Sequence, residues 1–272
     1  MKGPNVVKGI HLEGLRVLGT PNSFAKYYYE QGADEIIYMD VVASLYGRNS
    51  LLDVVSKTAE DVFIPITVGG GLRSIDDISA ALKSGADKVS INTAAINDNK
   101  LISRAADKFG SSTIVIAIEA IRQSNGRYYA FTDNGREQTG MEVVEWATIV
   151  EKLGAGEILL TSVDAEGTGS GGDIELINSV ANEVNIPIIA HGGVGNIDHA
   201  VDIVTSANTS AIALSSILHY EAISKITANN LDLESEGNRE FLSSNRVVKN
   251  IDVCSIEMIK QKLSECGVEV RL

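Results

Sequence analysis

The segment Gly32-Ala33-Asp34-Glu35-Ile36-Ile37 returns as Gly154-Ala155-Gly156-Glu157-Ile158-Leu159, 122 positions further along the chain. The same spacing relates Ile64-Pro65-Ile66 to Ile186-Pro187-Ile188, and Gly70-Gly71 to Gly192-Gly193. Three pairs at one spacing indicate that the chain contains two similar halves. Self-similarity of this kind predicts one architecture that is built twice, with functional sites in pairs.

Short apolar runs rich in β-branched residues accompany both copies. They predict seven strands, at Glu35–Asp40, Ile64–Val68, Lys88–Ile91, Thr113–Ile118, Glu157–Thr161, Ile186–Ala190 and Ala211–Leu214. Nearly every position is apolar, which is typical of strands that are covered on both faces. Helix-length segments such as Ser74–Ser84 and Met141–Leu153 lie between them, so we expect parallel strands with right-handed crossovers. The 272 residues suit one (β/α)8 TIM barrel of the α/β class, made of two half-barrels.

A closed barrel of this type has eight strands, and the repeat predicts where the eighth belongs. In the second half, the strand Thr113–Ile118 is followed by Glu119, which lies 35 residues before Gly154. Counting 35 residues back from Gly32 passes Met1. We therefore expect the first strand to be truncated. The alternative is that Asn5–Lys8 serves as a shortened first strand.

Composition narrows the class of protein. The net charge of −13 argues against a nucleic-acid partner, and the chain contains no run of apolar residues long enough to cross a membrane. Cys254 and Cys266 are the two cysteines, which fits a reducing cytoplasm. No metal-ligand spacing is present, so we expect neither metal nor cofactor. We expect residues 1–272 to form a single domain with a polar insertion at about 221–250.

Glycine pairs follow equivalent strands of the two halves. Glycines at a strand end allow backbone N–H groups to approach an anion, and the helix that follows adds favourable partial charge. Polar residues end the next strand in each half. The predicted substrate- and phosphate-binding residues of these two sites are Gly70, Gly71, Asn92 and Thr93, and Gly192, Gly193, Ser215 and Ser216. Two equivalent sites predict a ligand with a phosphate at each end, lying across the barrel mouth.

Carboxylates at strand ends are the candidates for proton transfer between these sites. Glu119 shares a face with Val115 and Ala117, so its side chain can point into the mouth. Asp40, Asp164 and Glu166 end or follow other strands, and a plain loop carboxylate is the alternative for each.

Charged residues begin three of the strands, at the opposite end of the predicted barrel. Glu35 and Glu157 are repeat equivalents, and Lys88 begins a third strand. Charges that face a barrel axis need partners, so we expect an ion-paired floor. Exposure at the bottom rim is the alternative.

Together these motifs resemble the family of cyclase subunits of imidazole glycerol phosphate synthase, from histidine biosynthesis. The resemblance runs from Val6 to about Tyr220 and resumes at Gly267–Leu272. Its most specific segments are Thr67–Gly71, Lys88–Ala95 and Gly154–Ser162.

The resemblance implies a lyase that works with a glutaminase subunit docked on the barrel floor, as a heterodimer. Ammonia from the glutaminase would travel through the barrel to a bisphosphorylated ribulosyl intermediate, giving imidazole glycerol phosphate and aminoimidazole carboxamide ribotide. It implies Glu119 as one of two catalytic carboxylates, and places the other before Met1. It implies that Lys8, Asp164, Glu166 and Gly167 bind substrate, and that Glu35, Lys88 and Glu157 belong to an ammonia gate.

The sequence departs from the family pattern at the chemical site. The family has aspartate at the positions of Glu119 and Glu166, arginine at Ala165 and serine at His191. A displaced carboxylate can cost about a hundredfold in rate. The alternative function is therefore a non-catalytic ammonia-conducting subunit for amidination of surface-polysaccharide sugars. The related single-chain phosphoribosyl isomerase is a third hypothesis, which the charged floor disfavours.

Overall fold

The computed structural model describes residues 1–41, 51–229 and 250–271. Its strands are β1 (Val6–Ile10), β2 (Glu13–Gly19), β3 (Ile36–Met39), β4 (Ile66–Gly69), β5 (Lys88–Ile91), β6 (Ile114–Arg122), β7 (Tyr128–Thr132), β8 (Glu137–Glu142), β9 (Glu157–Ser162), β10 (Ile188–His191) and β11 (Ala211–Ala213). Its helices are α1 (Pro21–Glu30), α2 (Leu52–Asp61), α3 (Ile75–Lys83), α4 (Thr93–Asn97), α5 (Lys100–Phe109), α6 (Val143–Lys152), α7 (Ile174–Ala181), α8 (Ile197–Ser206), α9 (Ser216–Asn229) and α10 (Ile256–Glu265).

Seven parallel strands form one curled sheet in the order β3-β4-β5-β6-β9-β10-β11. This order follows the chain, and helices alternate with the strands, so the fold is that of an α/β TIM barrel. The seven strands predicted from the sequence are these seven. Among the described residues, β3 and β11 stand at the two ends of the sheet. The carboxyl ends of the strands form the mouth, and their amino ends form the floor.

Both faces of the sheet are buried, which explains its continuous apolar runs. Ile114, Ile116 and Ile118 of β6 pack with Trp146 of α6 in the outer layer, against the helices. Val115 and Ala117 alternate with them and pack inside the barrel with Leu159 of β9. Adjacent side chains of a strand point to opposite faces, so one strand supplies two cores.

The segment proposed as a shortened first strand does not join the barrel. Val6–Ile10 pairs antiparallel with Glu13–Gly19 as a separate two-stranded sheet, with Val7 opposite Val17 and Lys8 opposite Arg16. The alternative for Asn5–Lys8 is therefore wrong. The physical reason is local, because a tight turn at His11 and Leu12 reverses the chain and pairs the two strands with each other.

A second hairpin extends β6 at the mouth. β7 pairs antiparallel with the last four residues of β6, and β8 pairs with β7. This hairpin was not among the elements predicted from the sequence, although Asp133-Asn134-Gly135 between β7 and β8 is a recognised turn signature. The turn places Asn134 and Gly135 near the end of β6.

Helix boundaries follow capping residues. Ser74 accepts a hydrogen bond from the N–H of Asp77 at the start of α3, and Asn196 does the same for His199 at α8. α9 continues through residues 221–229 of the predicted insertion, with Ala222 fully buried. Residues 230–249 of that insertion lie outside the described part of the chain. No helix in the described ranges is long and apolar enough to cross a membrane.

We expect Ile116→Ala to destabilise the protein strongly. Ile116 is fully buried in the outer layer, and an alanine there leaves a cavity that typically costs about 2–5 kcal/mol of unfolding free energy. Ile10→Ala is the control, because Ile10 is 45% exposed, and should change stability by about 0.5 kcal/mol or less. Urea denaturation measures both. Equal losses in the two variants would contradict this placement of the core.

Candidate functional site

One cavity of about 1170 Å³ lies inside the curled sheet. Its lining includes Glu35 and Glu157 at the floor, Leu159 midway, and Asn92 and Glu119 at the mouth. The cavity therefore extends along the axis of the barrel from one end of the strands to the other. The predicted site residues can be located relative to it.

Glu119 lines the mouth end of this cavity. Its carboxylate accepts a hydrogen bond of 2.7 Å from the backbone N–H of Gly135, at the tip of the β7–β8 hairpin. Burial raises the pKa of Glu119 to about 7, while the hydrogen bonds from Gly135 and the Asn92 side chain oppose the shift. A carboxyl group with a pKa near neutrality can accept and donate a proton under physiological conditions.

The first glycine site lies where β4 ends and the chain turns towards α3. Gly70 and Gly71 have φ values of +95° and +75°, in the left-handed region. A Cβ at Gly70 would lie 2.2 Å from the backbone oxygen of Asp40, so only glycine fits there. Gly70, Gly71, Asn92 and Thr93 all line the large cavity. The structure thus brings the four residues predicted for this site together.

The second glycine site forms a small pocket of its own at the mouth. Gly167, Gly192, Gly193, Ser215 and Ser216 line it, together with Glu166 and His191. The hydroxyl of Ser216 is buried at the first residue of α9 and has no hydrogen-bond partner within the described residues. A free hydroxyl at a helix N-terminus, beside two glycines, suits an anion.

The remaining predicted substrate residues divide into two groups. Lys8 and Glu166 are buried at the mouth, and the Lys8 Nζ lies 3.5 Å from the carbonyl oxygen of Gly167. Burial lowers the pKa of Lys8, and the Glu166 carboxylate opposes that shift. Asp164 is exposed, and its carboxylate accepts the backbone N–H of Arg122 at 2.8 Å. It does not line either pocket, so the structure separates it from the other predicted residues.

The three charges at the floor are in contact. The Lys88 ammonium lies 3.0 Å from Glu35 and 2.7 Å from Glu157. Burial by itself would lower the pKa of Lys88, but the hydrogen bonds to Glu157 and Glu35 raise it above its ordinary value. One cation thus joins two acids at the floor end of the cavity.

Three mouth residues were absent from the predicted binding set. His191 lines both pockets, and its Nδ1 lies 3.2 Å from the Thr161 hydroxyl. Asn134 and Gly135 reach the site from the β7–β8 hairpin. The sequence signal for His191 was its position directly before Gly192. The signal for Asn134 and Gly135 was the turn signature between β7 and β8.

Comparison with known proteins identifies the family to which the chain is similar. A protein-family model described as histidine biosynthesis protein matches residues 1–224. The imidazole glycerol phosphate synthase subunit HisF of Legionella pneumophila is 62% identical over 198 residues, which cover 73% of this chain and 93% of the relative. The subunit of the same name from a Nostoc species is 46% identical over 239 residues, covering 87% and 92%. The one from Alkaliphilus metalliredigens is 46% identical over 219 residues, covering 80% and 87%.

We expect Glu119→Gln to stabilise the protein at high pH and not at low pH. The pKa of this carboxyl is raised from 4.5 to about 7 on folding, so the folded state binds the proton more tightly. Its stability therefore falls as pH rises through this window. Glutamine avoids the buried charge and should add about 1–3 kcal/mol above the window. Urea denaturation at about pH 4 and about pH 8 measures the difference; an equal effect at both would contradict the assignment.

Proposed function

The chain belongs to the histidine biosynthesis protein family, and on this premise we propose how its residues perform the work of the cyclase subunit of imidazole glycerol phosphate synthase. In that reaction, ammonia and a bisphosphorylated ribulosyl intermediate give imidazole glycerol phosphate and aminoimidazole carboxamide ribotide. The observation that carries the proposal is the mouth of the barrel, where the large cavity holds one glycine site and a carboxyl group of near-neutral pKa, and an adjoining pocket holds the second glycine site.

The two glycine sites hold the two phosphates of the substrate. Gly70 and Gly71 offer backbone N–H groups at one, and Gly192 and Gly193 offer them at the other. The buried Ser216 hydroxyl adds a donor at the second site. The protein carries a net charge of −13, so local donors of this kind must provide the attraction for a dianion.

Glu119 transfers protons during ring closure and bond cleavage. Its carboxyl lines the same cavity as the first glycine site, so a substrate held there lies beside it. General acid–base catalysis is most effective when the pKa of the group lies near the working pH, which burial provides here.

The protein works with a glutaminase subunit, which we propose docks on the floor. Ammonia would enter the cavity at this end, past the ion pairs of Lys88 with Glu35 and Glu157. Phe63, just before β4 at the floor, is 76% exposed and offers an aromatic anchor for a partner. We also propose a cytoplasmic location, which the free thiols of Cys254 and Cys266 support.

A second candidate function is ammonia conduction without cyclase chemistry, for amidination of surface-polysaccharide sugars. The observation that favours it is the contrast between floor and mouth. The ion pairs at the floor are formed, whereas Glu119 carries one methylene more than the aspartate of the resemblance. A conducting subunit needs the floor and the cavity but no proton transfer.

Turnover with ammonium salt distinguishes the two functions. The chain, supplied with ammonium and the bisphosphorylated intermediate, should consume that intermediate without any glutaminase. Glu119→Gln should lower kcat about 10²- to 10⁴-fold, because the proton-transferring group is lost. Glu183→Gln, an exposed exchange of the same type, should leave kcat unchanged. No turnover by the wild-type chain, together with retained glutaminase binding, would refute the cyclase assignment and favour conduction.

We expect Lys88→Met to lower turnover with ammonia supplied by the glutaminase, but not turnover with ammonium salt. Removal of the cation leaves Glu35 and Glu157 unpaired at the lower opening, which disturbs entry from the partner. Glutamine-dependent turnover should fall by about tenfold or more, while ammonium-dependent turnover stays near wild type. Lys83→Met, at an exposed site on α3, is the matched control. Parallel loss of both activities would contradict a role confined to entry.

A further inference from the structure

We propose that Asn134 is a positioning residue that joins the β1–β2 hairpin to the backbone donor of Glu119. The hairpin, residues 6–19, is called the lid below, because its tip lies at the mouth and Leu12 lines the cavity. The proposal rests on the proposed function only in treating Glu119 as the proton-transferring group. The contacts that carry it do not depend on the reaction.

Four hydrogen bonds tie the tip of the lid to two neighbouring loops. The backbone N–H of His11 donates to the Glu166 carbonyl at 3.0 Å, and that of Leu12 donates to the Glu166 carboxylate at 2.9 Å. The His11 Nδ1 lies 2.9 Å from the Val163 carbonyl. The Asn134 side-chain amide donates to the Leu12 carbonyl at 2.7 Å. The first three bonds reach the loop after β9, whereas only the fourth reaches the β7–β8 hairpin.

The tip of the lid has a backbone conformation that needs such support. His11 and Leu12 have φ values of +50° and +62°, in the left-handed region. Non-glycine residues adopt this region at a cost, and two in succession persist where surrounding contacts hold them. The closed position of the tip therefore depends on its hydrogen bonds to Glu166 and Asn134.

Asn134 carries the connection from the lid to the catalytic carboxyl. Asn134 and Gly135 are consecutive left-handed residues, with φ values of +65° and +75°. The Asn134 side chain holds the lid, and the next backbone N–H, that of Gly135, holds Glu119 at 2.7 Å. One peptide unit separates the two donors. A rotation of this turn that releases Leu12 also turns the N–H of Gly135 away from the carboxylate.

The environment of Asn134 favours a fixed turn. Asn134 is buried, and the preceding N–H, that of Asp133, lies 3.4 Å from the Thr93 hydroxyl at the first glycine site. Asp133 is also the charged neighbour that raises the pKa of Glu119 through space. Lid, glycine site and proton-transferring group thus meet at three consecutive residues, with Asn134 in the middle.

Asn134→Gly tests the connection. Glycine accepts the left-handed backbone without strain, so the variant removes the amide donor and little else. Hydrogen exchange of the Leu12 amide should become about tenfold faster, because the lid loses one of its bonds. The pKa of Glu119, followed by ¹³C NMR of labelled glutamate, should rise because the opposing hydrogen bond from Gly135 weakens. In the ammonium assay, kcat/KM should fall about tenfold, and the pH limb of kcat should move upward.

Two further variants separate positioning from general destabilisation. Asn134→Asp keeps the size and the tolerance for the left-handed region but removes the donor, and should also open the lid. Asn125→Gly removes an equivalent amide from the exposed turn between β6 and β7, and should change neither reading. Faster exchange at Leu12 with an unmoved pKa of Glu119 would overturn the connection. The exchange of the Leu12 amide and the pKa of Glu119 can be measured even if the wild-type chain shows no turnover. A failure of the cyclase assignment is therefore distinguished from a failure of this proposal.

Discussion

Burial of both faces of the parallel sheet is the constraint on which the rest of this structure depends. Each strand must supply apolar side chains to the helix layer and to the barrel interior at once, as β6 does with Ile116 and Val115. Polar groups are then confined to the two ends of the strands, because a buried charge without a partner is costly. The floor and the mouth are where the fold can place chemistry.

The floor and the mouth of the barrel differ in how their charged side chains are stabilised. At the floor, the Lys88 cation is paired with two carboxylates, those of Glu35 and Glu157. At the mouth, Glu119 has hydrogen-bond donors but no ion-pair partner among the described residues, and burial raises its pKa. Burial at the mouth disfavours a charge on Glu119 and so favours its protonated form, whereas Glu35 at the floor is exposed to solvent. A single barrel thereby holds a cluster of paired charges at one end and a carboxyl group of near-neutral pKa at the other.

The β1–β2 and β7–β8 hairpins lie outside the repeated pattern of parallel strands and helices. Neither the lid nor the β7–β8 hairpin belongs to the parallel order, and both reach the mouth. Their tips meet through Leu12 and Asn134, in left-handed turns that the barrel strands do not use. The regular part of the chain thus builds the cavity, and the irregular part determines how the mouth is covered and how Glu119 is held.

The sequence by itself determined the seven strands, their parallel order, both glycine sites and the charged floor. These features depend on period and spacing, which are local properties that the repeat doubles. The tertiary structure alone decided that Val6–Ile10 forms a hairpin outside the barrel, and that Asp164 bonds to Arg122 away from the cavity. It also decided that Asn134 meets Leu12, across 122 residues of chain. Contacts of that kind depend on how separate loops are brought together at the mouth, and no local pattern encodes the distance between them.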